Sequence, residues 1–311
     1  MSDILGSAYR VGDLAEVSPC EPPADFADHW RARYARARNV DPAMQMTAVD
    51  RLQTHDIYTV RLRSTNERTI GGWLALPTSQ PVQRGLVHSH GYGGRGQIDP
   101  AFLRPDTAVL WPVARGLPIA SSAADLPAEP REHVLVGIED RDRYILGGCA
   151  EDIWCSATAL QAAIGEVSLG FIGTSFGGGQ GALALPWDDR FDAGALALPS
   201  FGQYDIRLRI PCTGSGEAVR SYVAGHPGGR KVLRYFDASS AGRFINIPMI
   251  VACALRDPAV PPPGQWAVRN AIPHAATYTL SAGHMNYPAE AAETVGWQQR
   301  AGEFLATHLA A

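Results

Sequence analysis

The sequence has no long apolar segment and no large excess of either charge. Its 311 residues contain no uncharged apolar window of about 18 residues, so no transmembrane helix is expected. Residues 1–10 show no basic segment followed by an apolar one, so no signal peptide is expected either. The 27 basic and 31 acidic residues give a net charge of −4, which argues against nucleic acid or an anionic membrane as a partner.

Cysteine is also scarce. The five cysteines form no CxxC pair and are odd in number, which argues against a disulfide framework. They are Cys20, Cys149, Cys155, Cys212 and Cys253. We expect small, buried thiols in a reducing cytoplasm. No metal site is expected, because His88 and His90 are accompanied by neither an HExxH motif nor a cysteine cluster.

What is present is an ordinary globular composition. Hydrophobic residues make up 46% of the chain, which argues against disorder. A chain of this length forms either one large domain or two. No internal repeat or low-complexity linker divides it. We therefore expect a single domain over residues 1–311.

Apolar strands and helical segments alternate along most of the chain. An amphipathic helix is expected at 22–38, with Phe26, Trp30 and Tyr34 on its apolar stripe and arginines on its other faces, Arg33 among them. A hairpin is expected at 56–63 and 68–76. Buried strands are expected at 85–90, 108–114, 168–173, 193–198, 248–255 and 278–280, and further helices at 144–164, 177–185 and 289–308.

This alternation predicts an α/β fold with a mostly parallel central sheet and helices on both faces. An N-terminal helix and a hairpin precede the alternating part. Residues 202–245 interrupt it and are predicted to form a small, partly helical insertion that caps the functional site.

The most informative motif is Gly173-Thr-Ser-Phe-Gly177, a G-x-S-x-G sequence between an apolar strand and a helix of small residues. In such a turn the serine is held in a strained conformation, so its neighbours two positions away must lack bulk. Ser175 would stand at the positive end of a helix, which favours developing negative charge. The motif predicts Ser175 as a nucleophile and is typical of an α/β-hydrolase fold.

A serine nucleophile needs an acid and a base, which follow it in that order in this class of fold. Asp257 comes directly after the predicted strand 248–255 and is the candidate acid. His284 comes after the last predicted strand and is the candidate base. The competing histidines are His226, His274 and His308. They are less suitable, because they lie before the acid, before the last strand and in the terminal helix.

The tetrahedral intermediate of an acyl transfer needs two backbone N–H donors. One is the amide that follows the nucleophile, which belongs to Phe176. The other is expected from the glycine-rich loop after the strand at 85–90, where we assign Tyr92. If both aromatic rings face the carbonyl site, they leave room for only a short acyl chain.

These motifs resemble the acetyl xylan esterase and cephalosporin C deacetylase group, carbohydrate esterase family seven of the α/β hydrolases. The resemblance spans most of the chain. Its motifs are His90-Gly-Tyr92, Arg115-Gly116, Gly137 to Tyr144, Gly173 to Gly178, Tyr235-Phe-Asp237, Asp257-Pro258 and Gly283-His284. The resemblance implies deacetylation of small acetylated carbohydrates or similar esters, no cofactor, and often a hexamer.

Three residues depart from the family pattern. Leu117 and Phe176 stand where the family has glutamine, and Met285 stands where glutamate follows the base histidine. The backbone amide at Phe176 survives a change of side chain, so the departures bear on specificity more than on hydrolysis.

The leading hypothesis is a serine carboxylesterase for small-molecule, short-chain esters, with no nucleic acid, membrane, metal or cofactor involved. A peptidase or a lactone hydrolase on the same scaffold is an alternative, because the fold does not fix the substrate. A catalytically inactive binding protein is a third reading. Ester, amide and lactone panels and labelling by a fluorophosphonate discriminate among the three.

Overall fold

The structure is a computed structural model that describes residues 8–52 and 54–309. The strands are β1 (Gln45–Arg51), β2 (His55–Arg63), β3 (Thr69–Pro77), β4 (Arg84–His88), β5 (Thr107–Pro112), β6 (Ser168–Thr174), β7 (Phe191–Ala197), β8 (Met249–Ala254) and β9 (Ala276–Leu280). The helices are α1 (Val11–Ala15), α2 (Phe26–Arg38), α3 (Pro130–His133), α4 (Ile145–Ile164), α5 (Phe176–Ala184), α6 (Tyr204–Arg207), α7 (Gly214–Gly225), α8 (Gly229–Leu233), α9 (Ala238–Gly242), α10 (Pro262–Ala271) and α11 (Glu290–His308).

The described strands form one sheet in the order β1-β2-β3-β5-β4-β6-β7-β8-β9. Strands β1 to β3 are antiparallel to their neighbours, and the pairs from β5 to β9 are parallel. The carboxyl ends of β4, β6, β7, β8 and β9 therefore lie along one edge of the sheet. The loops that follow these strands carry the predicted site residues.

Helices cover both faces of the sheet, as the sequence predicts. On one face, Val87 of β4 and Leu110 of β5 join a core with Trp30 of α2 and Trp154 of α4. On the other face, the strands pack against Leu305 and other residues of α11. Because successive strand residues point to opposite faces, each apolar strand contributes to both cores.

Helix α2 departs from its predicted pattern at one arginine. Phe26 and Trp30 are buried as expected. Arg33, expected on a solvent face, is 2% exposed. Its guanidinium donates to Glu151 Oε1 at 2.7 Å, which binds α2 to α4. Arg33 is therefore buried because Glu151 on α4 compensates its charge, although the pattern of α2 predicts a solvent-facing position.

The predicted boundaries are correct within a few residues for most elements. The sequence reading missed β1, whose residues are all exposed and carry no alternation of buried and exposed positions. It also missed α10, which begins with two prolines. Residues 202–245 contain α6 to α9 and no strand. Cys149, Cys155, Cys212 and Cys253 are buried thiols, whereas Cys20 is only partly buried.

Within the described ranges, no helix combines the length and the apolar character needed to cross a membrane.

Candidate active site

Three of the predicted site residues lie just beyond neighbouring strands at the same edge of the sheet. Ser175 follows β6, Asp257 lies three residues after β8, and His284 lies four residues after β9. The strand order places β6 and β8 on either side of β7. The loop after β9 must therefore reach back over this edge for His284 to meet Ser175.

Ser175 stands on a sharp turn between β6 and α5. Its φ of 55° and ψ of −110° lie in a region that residues other than glycine rarely occupy. A Cβ at Gly173 would lie 2.3 Å from the carbonyl oxygen of Gly177, and a Cβ at Gly177 would lie 2.8 Å from that of His90. The close approach of these backbones explains why glycine stands at both ends of the motif.

The three side chains form one continuous hydrogen-bonded chain. His284 Nε2 lies 2.9 Å from Ser175 Oγ, and His284 Nδ1 lies 2.7 Å from Asp257 Oδ2. Because a carboxylate can only accept, Nδ1 carries the proton and Nε2 accepts from the serine hydroxyl. The Asp257 side chain is fully buried, whereas that of His284 is 26% exposed. The imidazole therefore stays accessible while its carboxylate partner is shielded from water.

Every oxygen of the Asp257 carboxylate has a partner. Oδ1 accepts from the backbone N–H groups of Ala259 and Val260, each at 2.9 Å. Oδ2 accepts from Gln265 Nε2 at 2.9 Å as well as from His284. These bonds fix the carboxylate in the orientation that meets the imidazole.

The sequence reading missed Gln265. It is fully buried on α10, and its Oε1 accepts from the backbone N–H of Ala254 at 2.8 Å. The side chain thus links the end of β8 to the carboxylate of Asp257. The only available signal was a polar residue eight positions after the acid in a segment of prolines and apolar residues, which does not by itself indicate this contact.

The two histidines after β4 shape the loop. His90 Nε2 accepts from the backbone N–H of Ala114 at 3.0 Å, and its Nδ1 donates to the carbonyl of Gly91 at 2.6 Å. His88 Nδ1 accepts from Trp111 Nε1 at 3.0 Å. Burial lowers the pKa of His90 to about 4 and that of His88 well below its ordinary value. Both rings are therefore neutral at physiological pH.

The backbone amides of Tyr92 and Phe176 make no hydrogen bond to another residue in the part of the chain that the structure describes. Phe176 opens α5, where the first N–H groups have no partner within the helix. The Tyr92 hydroxyl donates to His133 Nδ1 at 3.0 Å, because His133 Nε2 donates to the carbonyl of Arg115. This bond anchors the side chain of Tyr92 and with it the loop.

The condition that both aromatic rings face the carbonyl site is not met by Phe176. Its ring is 1% exposed and lies 4.4 Å, centroid to centroid, from that of Tyr92. The ring of Phe201 packs on it at 6.0 Å. The rings of Tyr92 and Phe201 enclose the Phe176 ring in the core, so only its backbone faces the edge of the sheet.

The competing histidines lie elsewhere. His226 is exposed at the end of α7 and bonds to the carbonyl of Tyr222. His274 precedes β9, and His308 ends α11. In the part of the chain that the structure describes, none of these three histidines forms a hydrogen bond with Ser175. A cavity of about 430 Å³ opens beside His284, with Thr174 and Met285 in its wall.

No group of three or more His, Cys, Asp or Glu side chains within residues 8–52 and 54–309 is arranged to hold a metal ion. Of the three departures from the family pattern, Leu117 is fully buried in the core and Phe176 lies under the serine turn. Met285 borders the cavity beside His284. Only Met285 is thus placed to contact a molecule in that cavity.

The sheet order, the serine turn and the loops beyond the parallel strands define the class: the chain has an α/β-hydrolase fold. It belongs to the acetyl xylan esterase family, because the family model described as acetyl xylan esterase (AXE1) matches residues 13–301. The resemblance found in the sequence is thereby confirmed, and the chain is an esterase.

Solved structures share the fold at low sequence identity. An acetyl xylan esterase from Paenibacillus sp. R4 has a TM-score of 0.79 at 20% identity, over 94% of this chain and 99% of that one. Acetyl xylan esterase 1 from Thermoanaerobacterium sp. JW/SL YS485 has a TM-score of 0.79 at 16% identity, over 96% and 99%. An acylaminoacyl peptidase from Pyrococcus horikoshii has a TM-score of 0.63 at 15% identity, over 83% of this chain and 42% of that one.

Proposed function

We propose that the protein is a serine carboxylesterase that removes short acyl groups, acetyl above all, from acetylated carbohydrates or similar small molecules. The observation that carries this proposal is the continuous chain of hydrogen bonds from Asp257 through His284 to Ser175. Membership of the acetyl xylan esterase family supports the choice of acyl group.

In the acylation step, Ser175 Oγ attacks the ester carbonyl while His284 Nε2 takes the hydroxyl proton. Asp257 holds the Nδ1 proton of the imidazole and stabilises the imidazolium that forms. When the tetrahedral intermediate collapses, the C–O bond to the alcohol breaks and His284 returns the proton to the leaving oxygen. The alcohol departs, and the acyl group remains on Ser175.

The negative oxygen of the tetrahedral intermediate needs preorganised donors. We assign this role to the backbone N–H groups of Tyr92 and Phe176. Support comes from their positions after β4 and β6, and from the lack of another partner for either amide among the described residues. The amide of Phe176 also lies at the positive end of α5.

In the deacylation step, a water molecule replaces the alcohol. His284 Nε2 removes a proton from the water as its oxygen attacks the acyl carbonyl, and then returns that proton to Ser175 Oγ as the acid leaves. The cavity beside His284 gives water access to the base, since the imidazole forms part of its wall. The reaction therefore needs no cofactor.

The preference for a short acyl chain rests on the packing behind the proposed donors. The rings of Tyr92, Phe176 and Phe201 form a contiguous aromatic cluster under the serine turn. A methylene that enters an apolar pocket contributes about 0.8 kcal/mol, whereas one that meets a filled core is rejected. We therefore expect kcat/KM for p-nitrophenyl esters to fall from acetyl through butyryl to octanoyl.

The test combines labelling with this series. A fluorophosphonate should label the wild-type protein at Ser175 and leave Ser175→Ala unlabelled, and Ser175→Ala should keep the wild-type melting temperature. Labelling at another residue would contradict the assignment of the nucleophile. A series that rises to octanoyl would contradict the acetyl preference alone. Faster cleavage of matched amides than of esters would favour a peptidase.

Two further expectations belong to the same proposal. Residues 202–245 act as a cap of the single domain and shape the space over Ser175, and the protein assembles into a homo-oligomer, a hexamer by family resemblance. Sedimentation velocity tests the assembly, because a monomer at micromolar concentration would contradict it.

A further inference from the structure

A buried guanidinium in the segment 202–245 has no partner in residues 8–52 and 54–309. Arg207 on α6 is 4% exposed. Among the described residues, its guanidinium makes no ion pair and donates no hydrogen bond, and its Nε is enclosed without an acceptor. Buried polar groups in folded proteins are almost always hydrogen-bonded. This exception therefore needs an explanation.

Two tyrosine hydroxyls share this property. Tyr204 is 3% exposed and Tyr144 is 1% exposed, and neither hydroxyl has a hydrogen-bond partner in the described part of the chain. Tyr204 and Arg207 are three residues apart on α6 and so lie on one face of the helix. Burial raises the pKa of both tyrosines, and the charge of Arg207 opposes this rise in each. The ring of Tyr144 packs on that of Phe236 at 4.9 Å, and the next residue, Asp237, accepts from the backbone N–H of Tyr204 at 2.8 Å. Tyr144 therefore lies beside α6.

Nearby carboxylates are engaged by other groups. Asp237 accepts from the backbone N–H groups of Gln203 and Tyr204 and from residues at the start of α9. Glu217 accepts from both Nε and Nη2 of Arg220. Asp257 is occupied by the groups described above. None of these carboxylates is free to approach Arg207 without losing existing bonds.

The cluster lies close to the loop of the proposed catalytic acid. A Cβ at Gly216 would lie 2.2 Å from Arg207 Nη2, and a Cβ at Gly264 would lie 3.9 Å from Arg207 Cδ. Gly216 lies in the first turn of α7, and Gly264 lies in the first turn of α10. Since α10 begins five residues after Asp257, Arg207 packs beside the helix that follows the loop of the proposed catalytic acid.

The cluster also reaches the oxyanion loop. Burial raises the pKa of the Tyr92 hydroxyl, and the neighbouring groups of Cys149, Tyr144 and Tyr204 raise it further. The rings of Tyr92 and Phe176 lie 4.4 Å apart, and the ring of Phe201, three residues before Tyr204, packs on Phe176 at 6.0 Å. The start of α6 therefore lies beside the loop that carries a proposed oxyanion donor.

The energetics favour an anionic ligand. A buried charge without a partner costs several kcal/mol, and evolution tolerates that cost at sites that bind or react. A carboxylate has two oxygens that accept from a guanidinium and from hydroxyls, and such charge-assisted bonds are roughly twice as strong as neutral ones. A neutral sugar hydroxyl would leave the charge of Arg207 uncompensated.

We propose that Arg207, Tyr204 and Tyr144 bind a carboxylate on the alcohol part of the ester, so that the preferred substrates are acetyl esters of hydroxy acids. This inference rests on the proposed function, because it places the carboxylate relative to an ester carbonyl at Ser175. It adds the chemical class of the leaving group, which the triad does not specify.

The test compares 4-acetoxybenzoate, which carries a carboxylate, with the neutral amide 4-acetoxybenzamide. The readout is the ratio of their kcat/KM values, because the ratio cancels effects on the chemical step. In Arg207→Met the ratio should fall about 10- to 100-fold, the range for a lost charge-assisted bond. In Tyr204→Phe it should fall less, by about 3- to 10-fold.

Arg209→Met is the matched control, because Arg209 is exposed in the same segment and its loss changes the net charge equally. Its ratio should equal that of the wild type. A wild-type ratio of kcat/KM values in Arg207→Met would overturn the proposal. An equal fall of this ratio in Arg207→Met and Arg209→Met would overturn it as well. Hydrolysis of the neutral ester by the wild-type protein tests the proposed function separately.

Stability gives a second, independent readout. An arginine that served only the fold would lower the urea midpoint when replaced, whereas removal of an uncompensated buried charge should leave the midpoint of Arg207→Met equal or higher. A markedly lower midpoint would overturn the proposal even if the variant were too unstable for kinetics.

Discussion

Two buried arginines of this protein are held in opposite ways. Arg115, 5% exposed, donates to both carboxylate oxygens of Asp152 and to the hydroxyls of Ser64 and Thr65. Arg207, 4% exposed, donates to no group among the described residues. Burial lowers the pKa of Arg115, but the charge of Asp152, its hydrogen bonds and the charge of Glu151 together outweigh burial, so the pKa is raised. Within the described part of the chain, one cation is compensated and the other is not.

The difference between the two arginines separates two roles of buried polar side chains, stabilising the fold and binding a ligand. Arg115 ties the loop after β5 to α4 and to the turn after β2, so its partners are structural and permanent. The carboxylate of Asp257 is equally saturated, because it must meet His284 in one orientation. A group that waits for a ligand must instead keep its bonding capacity free. The following predictions test this contrast, from the largest expected effect to the smallest.

The largest effect is expected at Asp257, the proposed catalytic acid, whose carboxylate oxygens all have hydrogen-bond partners. In Asp257→Asn, the new amide group would face two donors, Gln265 Nε2 and His284 Nδ1, and would force the imidazole into the wrong tautomer. We expect kcat for p-nitrophenyl acetate to fall about 10⁴-fold. Asp205→Asn, at an exposed position on α6, is the control and should retain kcat. A fall of less than tenfold in Asp257→Asn would contradict the role of the carboxylate.

The second prediction concerns the two arginines directly. Arg115→Met leaves Asp152 buried without its cation, and we expect the free energy of unfolding to fall by about 3–5 kcal/mol. Arg207→Met leaves no carboxylate behind and should not lower it. Urea unfolding of both variants measures the difference. Equal losses in the two variants would show that both cations serve the fold and would break the contrast.

The sequence predicted the sheet, both helical layers and the positions of Ser175, Asp257 and His284, because apolar strands and the glycine-flanked serine are local signals. It also predicted the buried aromatic stripe of α2. These features depend on residues within one or two turns of each other, so their pattern is visible in one dimension.

The rest depends on contacts between distant segments. Arg33 is buried because Glu151 lies on another helix, and Gln265 supports Asp257 only because α10 folds back onto β8. The Phe176 ring turns inward because Tyr92 and other aromatic neighbours enclose it. Charge and periodicity within one element carry no information on such partners, and the unpartnered state of Arg207 is likewise visible only in three dimensions.

The third prediction concerns pH. Burial lowers the pKa values of His29 and His90 to about 4, and for His29 the charge of Arg33 lowers it further. An unfolded histidine titrates at about 6.5, so the unfolded chain binds more protons between these values. The stability contributed by the neutral rings is therefore complete above pH 6.5 and is lost as pH falls towards 4.

We expect each of the two rings to contribute about 3 kcal/mol to the fall in the free energy of unfolding across this window. Urea titrations at intervals from pH 7 to pH 4 measure the slope. His29→Gln should reduce the slope, whereas His226→Gln, at an exposed position, should leave it unchanged. Stability that is independent of pH in this range would contradict the neutral, buried state of the two rings.

The smallest effect is expected at Gln265, where one neutral side chain orients the carboxylate. Gln265→Leu removes the donor to Asp257 Oδ2 and the acceptor for the backbone N–H of Ala254. A hydrogen bond to a charged group contributes about 1.5 kcal/mol, so kcat should fall about tenfold. KM should not change, because Gln265 is fully buried and touches no substrate.

Gln180 is the matched control for this last prediction. It is 1% exposed on α5, and neither atom of its amide has a partner among the described residues. Gln180 differs from Arg207 in two ways. It carries no charge, and neither of the unpartnered tyrosines, Tyr144 and Tyr204, is close to it in sequence. Gln180→Leu therefore removes a buried polar group without breaking a bond and should retain kcat with equal or greater stability. If the two leucine variants lost kcat equally, the hydrogen bonds of Gln265 would not explain its effect on kcat. The role of Gln265 in positioning the carboxylate of Asp257 would then be contradicted.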